Sequence, residues 1–254
     1  MTVSAVDEMQ NAPPVSASTR PRRTRFFVAL AVALFAIVIV GFTPSFYLRR
    51  LWLSTHPALH DTPLPGYLVL HGICLTLWYV GFVVQTALVA ARRVRVHRAL
   101  GVASIGVAAG VLVTSTLVVV RSVARSTAGG VPASRLVPVV LGNFGALVLF
   151  AAFFAVGVTY RRRPEVHKRV MLMAAISLIS PAIARVPGAL TMFPVFILLP
   201  VLVMLAALVG YDLVQQRRVH PATGWAEAAY VVVVGGAVAA SSSAWGIRMV
   251  EALR

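Results

Sequence analysis

The sequence predicts an all-α integral membrane protein, a seven-transmembrane helix bundle with its N-terminus in the cytoplasm and its C-terminus outside. The chain of 254 residues is 59% hydrophobic and only 12% charged, and its mean hydropathy is +0.87. A soluble domain of this size carries about 25% charged residues. Apolar runs of roughly 18 residues or more recur, and each is long enough to cross a ~30 Å hydrocarbon core as a helix.

The apolar runs define the domain organisation. Residues 1–25 are rich in Pro, Ser, Thr and Arg and predict a disordered basic N-terminal arm. No small-residue cleavage site follows the first apolar run, so we interpret this run as an uncleaved span. Pro181 predicts a kink in span five, and the stretch ARVPGALTMFPV predicts a turn after it. The seven-helix transmembrane domain covers 26–254, with spans at about 26–47, 66–90, 99–120, 136–160, 169–186, 192–213 and 226–247.

The basic residues set the predicted orientation. The net charge is +16, but the arginines cluster where apolar runs end, which predicts contact with anionic lipid headgroups and not nucleic-acid binding. Of the 23 Lys and Arg residues, 15 lie in segments that a cytoplasmic N-terminus places inside and 7 in outer segments. Because cytoplasmic loops carry the excess of Lys and Arg, this bias predicts the N-in, C-out orientation.

A Val-His phrase beside arginines occurs three times, in RRVRVHRALG, RRRPEVHKRV and QQRRVHPATG. The histidines are His97, His167 and His220, and all three fall at the predicted cytoplasmic edge. Neutral imidazole is the commonest metal ligand and a usual axial ligand of haem, so the trio predicts a cofactor site with haem b as a candidate. The neighbouring arginines oppose a bare cation and suit a haem propionate, a phosphate or a lipid headgroup. Interfacial histidines that snorkel beside basic residues explain the same pattern without a cofactor.

A second group of polar residues falls within the outer halves of three spans. His71 lies ~7 Å and Asn143 ~10 Å below the starts of their spans at the rise of an α-helix. Arg185 lies at a similar level in span five. Intramembrane Arg and His residues usually face the bundle interior, so the three predict a polar pocket for an anionic group. Alternatively, Arg185 snorkels to the outer interface and His71 makes one interhelical hydrogen bond.

Span two carries a polar stripe that includes His71. Trp78 and Gln85 follow it at intervals of seven residues, so the three side chains share one helix face. The stripe predicts either an internal groove continuous with the His71 pocket or a line of contacts between helices.

The loop before span two offers a weak metal site. His56, His60 and Asp61 have a spacing that would place them together on a helix and suit copper or zinc. Three prolines in the same loop oppose that helix, so we expect at most an exposed contact.

Several activities lack their motifs. No serine or cysteine nucleophile has an evident base partner, and no glycine loop precedes a Lys-Ser or Lys-Thr pair, so the sequence gives no motif of an enzyme. Asp212 and Glu227 lie near helix ends, which disfavours a proton pump built on a carboxylate relay. Gly106 and Gly110 have the spacing that lets helices approach closely, and Gly236 begins a similar face in span seven.

Four phrases resemble those of a known group. VHRALG (96–101), RRRPEVHKRVMLMA (161–174), YDLVQQRRVHPATGW (211–225) and LHGICLTLWYVGFVVQ (70–85) resemble the loops and second span of a group of uncharacterised bacterial multi-pass membrane proteins. The resemblance covers about 66–225 and implies a seven-span protein of the bacterial plasma membrane. A looser similarity to di-haem cytochromes of the b561 type implies haem ligation by histidines paired across helices at each level. The outer side here departs from that pattern, because it offers one histidine within a span, so the similarity leaves at most one cytoplasmic haem site.

The sequence leaves three functions open. The first is haem or metal binding through the membrane-edge histidines in redox or cofactor handling. The second is binding or transport of an anionic small molecule or lipid by the outer polar residues. The third is a membrane scaffold or assembly partner that packs through its small-residue faces.

Overall fold

The computed structural model describes residues 19–53, 63–186 and 195–253. These residues form helices and turns, with no β-strand among them, as the sequence predicts. The elements are α1 (Thr19–Phe42), a π-helical turn (Thr43–Tyr47), α2 (Arg49–Leu53), α3 (Gly66–Ala90), α4 (Val94–Ala128), α5 (Ala133–Thr159), α6 (Pro164–Ser177), α7 (Ser180–Ile183), α8 (Val195–Gln216), α9 (Pro221–Ala240) and α10 (Ala244–Glu251).

The prediction of seven membrane-spanning helices is confirmed within the described ranges. Helices α1, α3, α4 and α5 are spans one to four, α6 and α7 together form span five, and α8 and α9 are spans six and seven. Their bounds differ from the predicted ones mainly at polar ends. Helix α1 already begins at Thr19, inside the arm predicted as disordered, and α4 extends the predicted span 99–120 at both ends. Arginine is a good helix former, so a helix continues through arginines that a hydropathy pattern excludes.

Span five is the centre of the bundle. In its membrane window 67% of the residues are buried, against 17–33% in the other six spans. It is less apolar than span one, because a helix surrounded by protein need not match the hydrocarbon of lipid. Span five therefore carries the polar contacts that join the other helices.

The predicted kink at Pro181 is present as a complete break. Helix α6 ends at Ser177, and the short helix α7 begins at Ser180 with Pro181 in its first turn. At the break the Ile179 amide donates to the Ile176 carbonyl, one residue short of the α-helical partner Ala175. The Tyr79 hydroxyl of α3 donates to the Ala175 carbonyl at 2.9 Å and satisfies it. A buried carbonyl released by the break thus becomes a contact between spans two and five.

The predicted small-residue packing is present in part. A Cβ built on Gly110 would lie 3.1 Å from Cys74 Sγ, so α3 and α4 approach closely there, whereas Gly106 and Gly236 face open space. The closest approach is elsewhere, at Gly41 of α1, where a Cβ would lie 2.1 Å from the Ala182 carbonyl oxygen. Sequence spacing identified residues able to pack closely but not which of them do so.

One end of the bundle collects the basic turns. It holds the start of α1, the α3–α4 turn, the α5–α6 turn and the α8–α9 turn, and we call it the arginine-rich end. Side chains from these segments contact one another, as in the stacked rings of Phe26 and Tyr211, 4.5 Å apart, and the rings of Phe153 and Trp225, 5.8 Å apart. The orientation predicted above makes this end cytoplasmic.

Candidate functional site

The arginine-rich end brings two of the three repeated histidines together. The rings of His97 and His167 have centroids 6.3 Å apart and planes 85° apart. Both histidines occupy the same helical position. Arg93 precedes α4 and Arg163 precedes α6, and the amide of each histidine donates to the carbonyl of that arginine, at 3.1 Å and 2.9 Å. The repeated phrase therefore places equivalent first turns side by side.

The third histidine has a different role. His220 precedes α9 as its N-cap, and its Nδ1 accepts the Ala222 amide at 3.1 Å. Its own backbone amide donates to the Asp212 carboxylate at 3.0 Å. The phrase that carries it has the histidine followed directly by Pro221, which begins the helix, so this ring caps a helix and its described contacts do not join it to the other two.

Hydrogen bonding fixes the tautomer of His167. Its Nδ1 lies 2.8 Å from the Gly157 carbonyl oxygen in the last turn of α5. Because a carbonyl oxygen can only accept, Nδ1 carries the proton, and Nε2 of the neutral ring keeps its lone pair. A Cβ on Gly157 would lie 2.6 Å from Met171 Sδ, so glycine permits the close packing of α5 on α6 that makes this contact. An imidazole held by a backbone carbonyl in this way is the usual arrangement of a metal-binding histidine.

His97 carries a buried nitrogen that has no hydrogen-bond partner among the described residues. Its ring interacts with the backbone of Gln85, yet its Nδ1 is buried and accepts or donates no hydrogen bond within the described part of the chain. The same holds for Gln85 Oε1 and for Trp78 Nε1 further along α3. An unsatisfied buried polar atom costs roughly 1–3 kcal/mol. His97 and Gln85 contact each other, so these two atoms mark a place where another group can supply the missing contacts.

The polar stripe of α3 divides between the two ends of the bundle. Gln85 is ~21 Å from His71 along the helix at 1.5 Å per residue, and it belongs with the histidine pair. Trp78, between them, packs edge-on against Phe150 at 4.8 Å and against Phe154 at 5.6 Å. At Trp78 the stripe makes contacts between helices, as one of the two interpretations of the sequence expects.

The residues of the predicted outer pocket each contact their own neighbours. His71 Nδ1 lies 3.4 Å from the hydroxyl oxygens of both Thr114 and Ser115. The Asn143 amide donates to the Val139 carbonyl of its own helix at 2.7 Å. These contacts lie within the α3–α4 pair and within α5.

Arg185 also bonds locally. Its guanidinium donates to the Pro181 carbonyl at 2.8 Å and lies 4.9 Å from the centre of the Phe42 ring. Its charge interacts with His71, but no described contact joins it to Asn143. The predicted loop site of His56, His60 and Asp61 lies outside the described residues.

Sequence reasoning missed a buried ionic network at the arginine-rich end. Arg169 and Asp212 are both 0% exposed, and the guanidinium donates to Asp212 Oδ1 through Nε at 3.0 Å and through a terminal nitrogen. Asp212 Oδ2 accepts the Thr223 hydroxyl at 2.5 Å as well as the His220 amide. Glu165 accepts from the same guanidinium at 2.7 Å. The sequence predicts Asp212 near a helix end, which is correct, but it does not predict that the side chain is buried in the protein interior.

Residues of the network belong to two of the phrases described in the sequence. Arg169 belongs to the HKR phrase of span five, and Asp212 and Thr223 begin and end the DLVQQRRVHPAT phrase. Together they tie α6, α8 and α9 into one unit. A signal was available in the sequence, namely an intramembrane arginine and aspartate at the same predicted level. Arg169 contributes to the orientation count as an inner charge and Asp212 lies near a helix end, so neither of these observations pairs the two.

The arginine-rich end offers few protein ligands to a metal ion. Within residues 19–53, 63–186 and 195–253, no group of three His, Cys, Asp or Glu side chains is placed to hold one metal ion. The pair of His97 and His167 would therefore supply two protein ligands.

In comparisons, no family model, curated protein or solved structure matches this chain.

Proposed function

We propose that this chain is a multi-pass membrane protein that binds a transition-metal ion between His97 and His167 and serves in redox or cofactor handling. The observation that carries the proposal is the contact of these two rings, one with its tautomer fixed by Gly157 and the other with an unpartnered buried nitrogen. We further propose the bacterial plasma membrane, with the arginine-rich end in the cytoplasm. The arginine bias and the resemblance of the loop phrases support that location.

The distance between the rings suits a shared ion. Two metal–nitrogen bonds of ~2 Å each leave the coordinating nitrogens roughly 4 Å apart. Ring centroids separated by 6.3 Å are compatible with that spacing. Imidazole ligands suit zinc, copper, iron and nickel.

The surrounding charge favours an ion of low charge. Arg98 follows His97 directly, whereas Lys168 and Arg169 after His167 are paired with Glu165 and Asp212. The Arg98 charge repels a bound metal, and the repulsion grows with the charge of the ion. Cu(I), which accepts two nitrogen ligands and carries one charge, is therefore the ion that we expect to bind best.

Haem fits this pair less well than an ion. A haem iron also accepts two histidines, but its porphyrin must enter between the rings. The His97 ring contacts the Gln85 backbone, so a porphyrin on this ring would displace that contact with α3.

Metal retention by the purified protein tests the proposal. The detergent-solubilised protein is incubated with Cu(I) under anaerobic conditions, or with Zn(II), desalted, and assayed for metal per chain by mass spectrometry. We expect about one copper ion per chain, and a loss of affinity of more than roughly tenfold in His97→Ala and in His167→Ala. Each variant also removes one contact of the ring with the backbone, to Gln85 for His97 and to Gly157 for His167, so the melting temperature of both variants is measured alongside.

His220→Asn is the matched control. It removes a histidine from the third copy of the phrase at the same end of the bundle but retains a side chain that can cap α9. Equal copper retention in all variants would make the two histidines interfacial residues. Sharp bands in a reduced-minus-oxidised spectrum of protein made with ample haem, lost in His97→Ala, would instead identify a haem.

A further inference from the structure

An apolar groove runs between α1 and α8 at the arginine-rich end. Phe26 and Ala29 form the wall on α1, and Gly210, Tyr211 and Val214 form the wall on α8. The rings of Phe26 and Tyr211, one from each wall, stack with centroids 4.5 Å apart. A Cβ on Gly210 would meet no atom within 4 Å, so the groove stays open where this glycine lies. Its volume of about 470 Å³ falls in the range of roughly 300–1,000 Å³ found for ligand pockets.

The mouth of the groove is basic. Arg25, exposed on α1, and Gln215 on α8 lie at its rim. Helix α8 ends one residue later, and the exposed Arg217 and Arg218 follow in the turn. The one acidic residue of α8, Asp212, is already ion-paired with Arg169 inside the bundle. Positive charge at the mouth is therefore not neutralised by a carboxylate of either wall.

An apolar groove with a basic mouth at the level of a membrane surface matches one class of molecule. We propose that the groove binds an anionic phospholipid, with an acyl chain between Ala29 and Val214 and the phosphate at Arg25. A zwitterionic phospholipid has the same chains but no net charge for the arginines to attract. Each basic residue near a membrane surface contributes about 1 kcal/mol of attraction to anionic lipid. The site is distinct from the histidine pair, because it involves α1 and α8 and neither His97 nor His167 lines it.

Native mass spectrometry of the full chain tests the proposal. The protein, stripped of lipid in detergent, is titrated with phosphatidylglycerol or with phosphatidylcholine of the same acyl chains. We expect one phosphatidylglycerol to bind preferentially, and Arg25→Gln to weaken that binding on the order of fivefold. The control is Arg95→Gln, which removes an exposed arginine at the same end on α4, and we expect it to leave the binding unchanged.

Groove-filling variants test the acyl-chain contact separately from charge. Ala29→Trp occupies the groove from α1, and Val214→Trp does so from α8, where the valine is 80% exposed and a larger side chain is tolerated. We expect either variant to reduce phosphatidylglycerol binding while glycerol phosphate, which lacks chains, does not compete. Equal loss in Arg25→Gln and Arg95→Gln, or no preference over phosphatidylcholine, would overturn the proposal, as would full binding by both tryptophan variants.

Discussion

Arg169 of α6 and Asp212 of α8 form an ion pair in which neither side chain is exposed. The pair lies at the arginine-rich end, and Glu165, Thr223 and the His220 amide satisfy the remaining hydrogen-bonding groups. A buried ion pair of this kind is weakly stabilising compared with apolar packing, but it is strongly destabilising when one partner is removed. Its hydrogen bonds from three helices fix how α6, α8 and α9 pack together.

Removal of one charge from this pair should be severely destabilising. We expect Asp212→Asn or Arg169→Gln to lower the free energy of unfolding by about 3–5 kcal/mol, because the remaining partner becomes an uncompensated buried charge. The double variant Arg169→Met with Asp212→Leu should be less affected than either single change. Unfolding in mixed micelles measures the effect, with exposed Arg161→Gln as the control. Additive losses in the double variant would show that the residues do not act as a pair.

His220 should make stability depend on pH. Burial, together with the nearby Arg169 charge, holds the pKa of His220 below its ordinary value of 6.5. The unfolded chain therefore binds a proton that the folded chain resists, so stability falls as the pH drops below about 6.5. Protonation also places a hydrogen on Nδ1, which then cannot accept the Ala222 amide.

The variant His220→Asn isolates this contribution. Asparagine retains an oxygen that can cap α9 but does not titrate, so we expect a smaller decrease in melting temperature between pH 8 and pH 5.5 than in the unsubstituted protein. His220→Ala should lose the same pH dependence and also about 1 kcal/mol of stability at pH 8. A pH dependence unchanged in His220→Asn would assign it to other groups.

The seven spans are predictable from the sequence because each helix must itself be apolar over a length that crosses the bilayer. An apolar run long enough to cross is visible without knowledge of its neighbours. The break at Ser177–Ser180 was predictable for the same reason, since Pro181 acts on its own helix. Helix ends were less accurate, as in α4, because arginines beyond the hydrocarbon core still favour helix.

Contacts between helices were not predictable from one sequence. His97 and His167 share a phrase, but so does His220, and only the following Pro221 distinguishes its place as a cap. Gln85 and His71 share a helix face, but a helix face extends across the whole membrane, so a shared face does not place two residues at one site. The sequence shows how far Asp212 lies from a helix end, whereas its burial depends on contacts with α6 and α9.

Gly41 should be essential to packing. A Cβ at this position would lie 2.1 Å from the Ala182 carbonyl oxygen, a backbone atom that cannot move without displacing α7. We expect Gly41→Ala to destabilise the protein by more than about 1–3 kcal/mol, the typical cost of overpacking with a flexible neighbour. Gly142→Ala on α5 is the control, because its Cβ would meet nothing within 4 Å. Similar melting temperatures for the two variants would contradict the close approach of α1 and α7.

Arg92 occupies a backbone conformation that favours glycine. It follows α3 with φ of 59°, in the left-handed region, where the Arg92 amide donates to Val89 and the Arg93 amide to Leu88. This is the Schellman arrangement, in which glycine is the preferred residue at the left-handed position. An L-residue there costs about 1–2 kcal/mol relative to glycine. We therefore expect Arg92→Gly to stabilise the protein by about 1 kcal/mol.

Arg98→Gly provides the opposite test at the same end of the bundle. It removes the same charge from an exposed position inside α4, where glycine is less favourable than arginine by roughly 0.5–1 kcal/mol. Changes of opposite sign in melting temperature would attribute the effect to backbone conformation. Equal shifts would attribute the effect to charge and would contradict a cost of the left-handed backbone at position 92.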